Sequence, residues 1–199
     1  MQIYLLRHAQ SEGNKRGLFQ GSLDFPLSKE GKLQAQRAGE FLKRFKFDLV
    51  VSSPQKRAMQ TAQIVAAILG LKVKVDGRLK EISYGILEGK SHREVEDWNE
   101  YQKWLENPVK NPLQGVDPMD KLQERVESFL NDVPQWGKRV LVVTHGGIVR
   151  AIICTVGNLG MENLWRFSVS NVSLSLVELK RLNPPRGKIK FVNLPTAEI

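Results

Sequence analysis

Two histidines in this 199-residue chain follow runs of apolar residues, and each brings a polar neighbour with it. Ile3-Tyr4-Leu5-Leu6 runs into Arg7-His8, and Val140-Leu141-Val142-Val143 runs into Thr144-His145. Such runs fit strands buried on both faces, whose polar ends emerge at the edge of a parallel sheet where α/β proteins bind ligands. At that edge Arg7-His8 sets a fixed cation beside a nucleophilic imidazole. Either pair alone is more often incidental surface charge. Together they use two of only three histidines, in matching strand-end positions, and that coincidence favours a site.

Metal binding is the first chemistry to weigh. It calls for histidines at helical spacing, or a cluster with carboxylates and cysteines. No H-x-x-x-H, C-x-x-C or paired-Asp motif accompanies His8 and His145, so neither a metal nor another cofactor is expected. Phosphate handling fits better, because phosphoryl oxygens want guanidinium forks and amide dipoles. Arg7 adjoins His8, Arg57 falls in the first turns of a helix after a second strand, and Gly146-Gly147 opens another helix. All can converge at one sheet edge. The chain has no G-x-x-x-x-G-K-[ST] loop, no G-x-G-x-x-G after a strand and no G-x-S-x-G elbow. Cys154 sits mid-helix among apolar residues with no arginine loop after it, which excludes a cysteine phosphatase.

The bulk properties set the frame. The length suits one domain, residues 1–199, with a full core. Hydrophobic residues at 41% and charged residues at 26% are ordinary for a globular protein. No apolar run suggests a signal peptide or a membrane span. A single cysteine rules out an internal disulfide and fits a cytoplasmic setting. The net charge of +9 suits an anionic small substrate. The basic residues are dispersed, with no basic-aromatic stripe, so no nucleic-acid partner is expected. A homodimer through an exposed edge such as 71–75 stays open.

The elements that must position these residues read in order. Residues 9–27 are irregular. Ser28 caps a helix running to about Lys46, with Ala38, Phe41, Leu42 and Phe45 as its buried stripe. A strand over 48–52 is followed by a helix starting at Ser53-Pro54 and ending at Gly70. Residues 71–75 form an edge strand, and 76–89 a loop. A single helix is expected from Ser91 to about Glu106, then a proline-rich connection and a helix capped by Asp117. Val140–Thr144 is a strand that leads into a helix to about Val156. A late strand over 171–179 pairs with 189–192 across Pro184-Pro185-Arg186-Gly187. This alternation predicts a three-layer α/β/α sandwich around a mainly parallel sheet. Residues of about 90–117 look like a small helical insertion over the site.

Four motifs then carry a resemblance. Leu6-Arg7-His8-Ala9-Gln10-Ser11-Glu12-Gly13-Asn14, Ser52-Ser53-Pro54-Gln55-Lys56-Arg57-Ala58, Leu79-Lys80-Glu81-Ile82-Ser83-Tyr84-Gly85 with Leu87-Glu88-Gly89, and Val143-Thr144-His145-Gly146-Gly147-Ile148-Val149-Arg150 occur in that order. They resemble the histidine phosphatase superfamily, also called the phosphoglycerate-mutase-like family, over nearly the whole chain. The resemblance implies His8 as the nucleophile that forms a phosphohistidine. Arg7, Arg57 and His145 would bind the phosphoryl group, and Glu81 would protonate the leaving alkoxide and later activate water. Asn14, Gln20, Gly21 and Gly146 would complete the substrate pocket. A backbone carbonyl in the 9–15 loop is expected to hold the other N–H of His8.

Two departures are informative. Ala9 stands where the family usually has glycine; a methyl there is expected to be tolerated, provided φ is below zero. Gly147 stands where mutases usually carry asparagine, and no twin-arginine segment occurs over 90–117. A mutase must grip a second phosphate or carboxylate with extra cations, and apart from His92 the sequence offers none at the expected places. The resemblance therefore implies a metal-independent phosphomonoester hydrolase acting on a small phosphorylated metabolite such as phosphoserine, ribazole phosphate or a sugar or glycerate phosphate. A cofactor-dependent phosphoglycerate mutase is the alternative. A non-catalytic binding protein would have dispensed with at least one of His8, Arg57, Glu81 and His145, and all four are present.

Overall fold

The computed structural model describes residues 1–197. Strand β1 (Gln2–Arg7) leads into a single turn, α1 (Glu12–Lys15), and then α2 (Lys29–Leu42). Next come β2 (Leu49–Ser52), α3 (Lys56–Leu69) and β3 (Val73–Val75). Two short helices follow, α4 (His92–Val95) and α5 (Asn99–Glu106), then α6 (Met119–Asp132). The chain ends through β4 (Arg139–Thr144), α7 (Gly146–Gly157), β5 (Ser173–Arg181) and β6 (Arg186–Pro195).

The six strands form one sheet in the order β3-β2-β4-β1-β5-β6. The first four are mutually parallel, and β5 and β6 are antiparallel. Alternation along β1 and β4 explains the layering. Ile3, Leu5, Val140 and Val142 point into one core with α6, α7 and the aromatic α5. Tyr4, Leu6, Leu141 and Val143 point into the other, against Leu42 of α2 and Ala62, Val65 and Ala66 of α3. Strands buried on both faces must read as unbroken apolar runs, as these do. The result is the expected three-layer α/β/α fold.

Several boundaries differ from the sequence reading, each for a physical reason. Helix α2 stops at Leu42 rather than near Lys46, because Phe45 and Phe47 turn to meet the Tyr4 ring, with centroids 5.4 and 5.1 Å away. Helix α3 begins at Lys56, two residues after Pro54; Ser53 instead continues the sheet, its N–H donating to the Val143 carbonyl at 3.1 Å. The single helix expected over 91–106 is broken between Val95 and Asn99. Val95 and Trp104 are both buried, yet they lie about half a turn out of phase on one continuous helix, so the break lets both face the core. Asp117 does not cap α6, whose N-cap is Pro118. Its carboxylate accepts the Ser83 N–H at 3.1 Å and ties down the loop that carries Glu81. The irregular 9–27 stretch contains α1, capped by Ser11 in a reciprocal box with Asn14.

Candidate active site

Because β1 and β4 are adjacent and parallel, with Arg7 opposite Thr144, their terminal histidines emerge side by side. The His8 N–H donates to the Thr144 carbonyl at 2.8 Å, and the two imidazole centroids lie 5.1 Å apart. Both rings are buried. His8 Nδ1 lies 2.7 Å from the Ala9 carbonyl oxygen. A carbonyl only accepts, so Nδ1 carries the proton and Nε2 keeps its lone pair. This is the backbone clamp expected from the 9–15 loop. Burial, then Arg57 and Arg7, hold His8 well below the ordinary imidazole range, with the Ala9 carbonyl opposing in part. The neutral, nucleophilic form is the one favoured.

The loop beneath His8 is fastened on both sides. Ala9 N–H donates to Thr61 Oγ1 at 3.1 Å, and that hydroxyl donates to the Arg57 carbonyl at 2.7 Å. Asn171 Nδ2 donates to the His8 carbonyl at 2.8 Å. Ala9 is not among the non-glycine residues with positive φ, which are Asn158, Val172, Asn183 and Asn193 in the described chain. Its methyl is buried with Leu27, Ala35, Ala38 and Val172, so alanine is accommodated as expected. Val172 holds φ at 47°, a strained value for a β-branched residue, next to the asparagine that grips His8.

Arg57 is buried and Arg7 half-buried, and neither contacts a carboxylate among the described residues. Arg7 Nη1 donates to the Val169 carbonyl at 2.6 Å. Arg57 donates to the carbonyls of Leu23 at 2.8 Å and Gly21 at 3.0 Å. The Nε of each lacks a partner among the described residues. Burial lowers the pKa of both, and in Arg7 the next cause is Arg150. Such groups lower their energy by gaining an anionic oxygen. His145 Nε2 lies 2.9 Å from Ser53 Oγ, and its Nδ1 is buried without a partner among the described residues. Burial, then Arg57 and His8, push its pKa well down.

Glu81 stands across the cavity. Its oxygens accept the N–H of Ile82 at 2.9 Å and of Gly147 at 3.3 Å. Gln55 braces this arrangement: its Oε1 accepts the Glu81 N–H and its Nε2 donates to the Gly21 carbonyl, both at 2.8 Å. Gln55, Ser53, Thr61 and Asn171 are organisers to which the sequence reading gave no role. Glu88 is another: it accepts the N–H groups of Ser22 and Tyr84 at 2.9 and 3.0 Å.

A cavity of about 330 Å³ opens onto His8. Arg7, Arg57, Glu81, Asn14, Gln20, Gly21 and Gly146 all line it, while His145 sits fully buried behind His8. Ser11 Oγ donates to Gln20 Oε1 at 2.7 Å, and Asn14 Oδ1 accepts the Ser11 N–H at 3.1 Å. Tyr84, Tyr101, Trp104 and Trp165 also line the cavity, Tyr101 and Trp104 coming from the 90–117 stretch. His92 stacks on Phe19 at 4.1 Å. Burial and Arg7 lower its pKa, so it is not the fixed cation that a mutase-like contact would need. The structure does supply an extra cation, at a place the sequence reading passed over: Arg150 lines the same cavity.

A neutral, clamped imidazole between unpaired guanidinium groups, with a carboxyl opposite, defines a site built for phosphoryl transfer. Comparison with known proteins agrees. The model of the histidine phosphatase superfamily (branch 1) matches residues 3–188, and the chain belongs to that superfamily. A Hydrogenobacter thermophilus protein with the provisional name phosphoserine phosphatase 2 is 42% identical over 187 residues, 89% of each chain. Phosphoserine phosphatase 1 of the same organism is 34% identical over 184 residues, covering 90% of this chain and 87% of the relative. A Salmonella choleraesuis protein provisionally named a phosphoglycerate mutase is 30% identical over 186 residues, 89% of this chain and 85% of the relative. The structure of mycobacterial glucosyl-3-phosphoglycerate phosphatase in complex with VO3 superposes with a TM-score of 0.88, at 27% identity over 97% of this chain and 99% of that one.

Proposed function

We propose that the protein hydrolyses small phosphomonoesters through a phosphohistidine on His8. One observation carries the mechanism: Nδ1 of His8 is committed to the Ala9 carbonyl, and Nε2 faces a cavity that holds two arginines without carboxylate partners. In the first step the Nε2 lone pair attacks phosphorus, the P–O bond to the alkoxide breaks, and the Glu81 carboxyl gives the alkoxide its proton. In the second, water attacks phosphorus, Glu81 takes back a proton, the P–N bond breaks, and inorganic phosphate leaves with His8 neutral again.

Arg7 and Arg57 supply the positive charge for the phosphoryl oxygens. Ser53 Oγ accepts the Gln55 N–H at 3.3 Å and lies 2.9 Å from His145 Nε2, which holds the second imidazole in place behind His8. Charge stabilisation of this kind needs no metal ion. The relatives' names favour phosphoserine or a phosphoglycerate derivative among small phosphorylated metabolites. No helix among the described residues is long and apolar enough to cross a membrane. The lone, buried Cys154 supports a reducing, cytoplasmic setting.

The test is rapid-quench labelling with a ³²P-phosphomonoester in the presence of chelator. An acid-labile, base-stable phosphoenzyme is expected in the wild type and none in His8→Ala, with turnover reduced at least ~10³-fold. Persistent turnover in that variant, or full inhibition by chelator, overturns the reading. Isomerisation of 3-phosphoglycerate outpacing its hydrolysis in the same preparation would assign the mutase alternative.

A further inference from the structure

The cavity contains one cation that the phosphoryl clamp does not use. Arg150 lies one turn into α7. Its Nε donates to the Phe167 carbonyl at 2.7 Å, which fixes the guanidinium plane, and its Cζ sits 5.5 Å from the Trp165 ring centroid. Neither terminal nitrogen has an acceptor or a carboxylate partner among the described residues, and the side chain lines the cavity with His8. Its Nη1 approaches Arg7 across Gly146: a β-carbon on that glycine would lie 2.9 Å from Arg150 Nη1 and 3.6 Å from Arg7 Nε. Two guanidinium groups converge there, and neither has a carboxylate partner among the described residues.

The wall around Arg150 adds donors rather than acceptors. The indole N–H groups of Trp104 and Trp165 are buried without partners among the described residues, and both rings line the cavity. The one carboxylate lining the cavity, Glu81, is engaged by two backbone N–H groups. Unpartnered buried donors are costly, and a cavity with such an excess is complementary to anionic oxygen. Arg7, Arg57 and His145 answer the charge of the transferring phosphate. What remains is a single guanidinium fork, which matches one carboxylate; a second phosphate dianion would need further cations.

We propose that Arg150 binds a carboxylate of the substrate, and that the preferred substrates are small phosphomonoesters of hydroxy or amino acids. This rests on hydrolysis at His8. The aromatic wall and the cavity of about 330 Å³ keep the carboxylate within a few bonds of the ester oxygen.

Matched substrate pairs test it. O-phosphoserine is compared with O-phosphoethanolamine, and 3-phosphoglycerate with glycerol 3-phosphate, each second member lacking the carboxylate. The wild type is expected to prefer the carboxylate in each pair by kcat/KM. Arg150→Gln is expected to erase about 10- to 100-fold of that preference, leave the carboxylate-free members and p-nitrophenyl phosphate within about 3-fold, and act mainly on KM. Arg150→Lys, which keeps the charge without the fork, should restore part of it. Calorimetric binding of O-phosphoserine to His8→Ala, with and without Arg150→Gln, reads the same contact without turnover. Equal losses on both members of a pair would place Arg150 in the phosphate clamp and overturn the proposal, as would a wild type without preference. Failure of the hydrolase reading looks different: p-nitrophenyl phosphate is then not cleaved at all, or is still cleaved by His8→Ala.

Discussion

Gly147 and Glu81 compete for the same space. The Gly147 N–H donates to Glu81 Oε2 at 3.3 Å, and a β-carbon at 147 would lie 2.5 Å from Oε1. The proposed acid sits where it does because residue 147 has no side chain. Gly147→Asn should therefore displace Glu81 and lower kcat on alkyl phosphates about 100-fold. The loss should nearly vanish on p-nitrophenyl phosphate, whose leaving group needs no proton. Equal losses on both substrates would mean that the asparagine blocks phosphate binding instead.

Burial keeps His8 and His145 neutral, with both pKa values well below the ordinary imidazole value. As pH falls below about 6.5, the unfolded chain takes up protons at these positions and the folded protein does not. Stability should thus rise with pH through this window and be lost on acidification, by up to ~1.4 kcal/mol per pH unit for each histidine. Urea unfolding between pH 7 and 5 measures the slope, and His8→Asn should reduce it. An unchanged slope in that variant would show that His8 protonates freely in the folded state.

Arg7 and Arg57 act on each other as like charges at the proposed phosphoryl site, Arg57 helping to lower the Arg7 pKa. Inorganic phosphate should raise the thermal midpoint by an amount equivalent to ~2.7 kcal/mol at a hundredfold excess over its Kd. The gain should be largely absent in Arg57→Gln. Sodium chloride at equal ionic strength serves as the control and should not reproduce it.

The buried Ala9 methyl has an ordinary backbone conformation and packs against Leu27, Ala35 and Ala38. Ala9→Gly should cost about 1 kcal/mol in chemical denaturation and leave kcat within about 3-fold. A loss of more than tenfold in kcat with unchanged stability would mean that the methyl positions the nucleophile.

Much of this was legible in the residues themselves. The strand-end histidines declared their shared edge because strands buried on both faces must be apolar throughout, and Ser28 and Gly70 marked helix ends by capping chemistry. What stayed hidden depended on long-range contacts. The break between Val95 and Asn99 arises because Val95 and Trp104 must both be buried, and the early end of α2 from Phe45 and Phe47 meeting Tyr4. Within the site, His8, Arg57, Glu81 and His145 stood out through their motifs. Gln55, Thr61 and Asn171 did not, since polar residues that hold backbone groups in place have no distinctive spacing. Arg150 lay inside a recognised motif, yet only the fold shows that its guanidinium enters the cavity and finds no partner there.

The 5.1 Å between the His8 and His145 rings is close to the ~4.8 Å that separates any two neighbouring strands. That interval belongs to the weave of the sheet, not to a loop. The proposed reacting group is gauged by a ruler cut at the centre of the fold, while the rest of the cavity is walled by side chains hung from α4, α5 and the start of α7. A lineage built on this plan can change its diet without re-cutting the ruler.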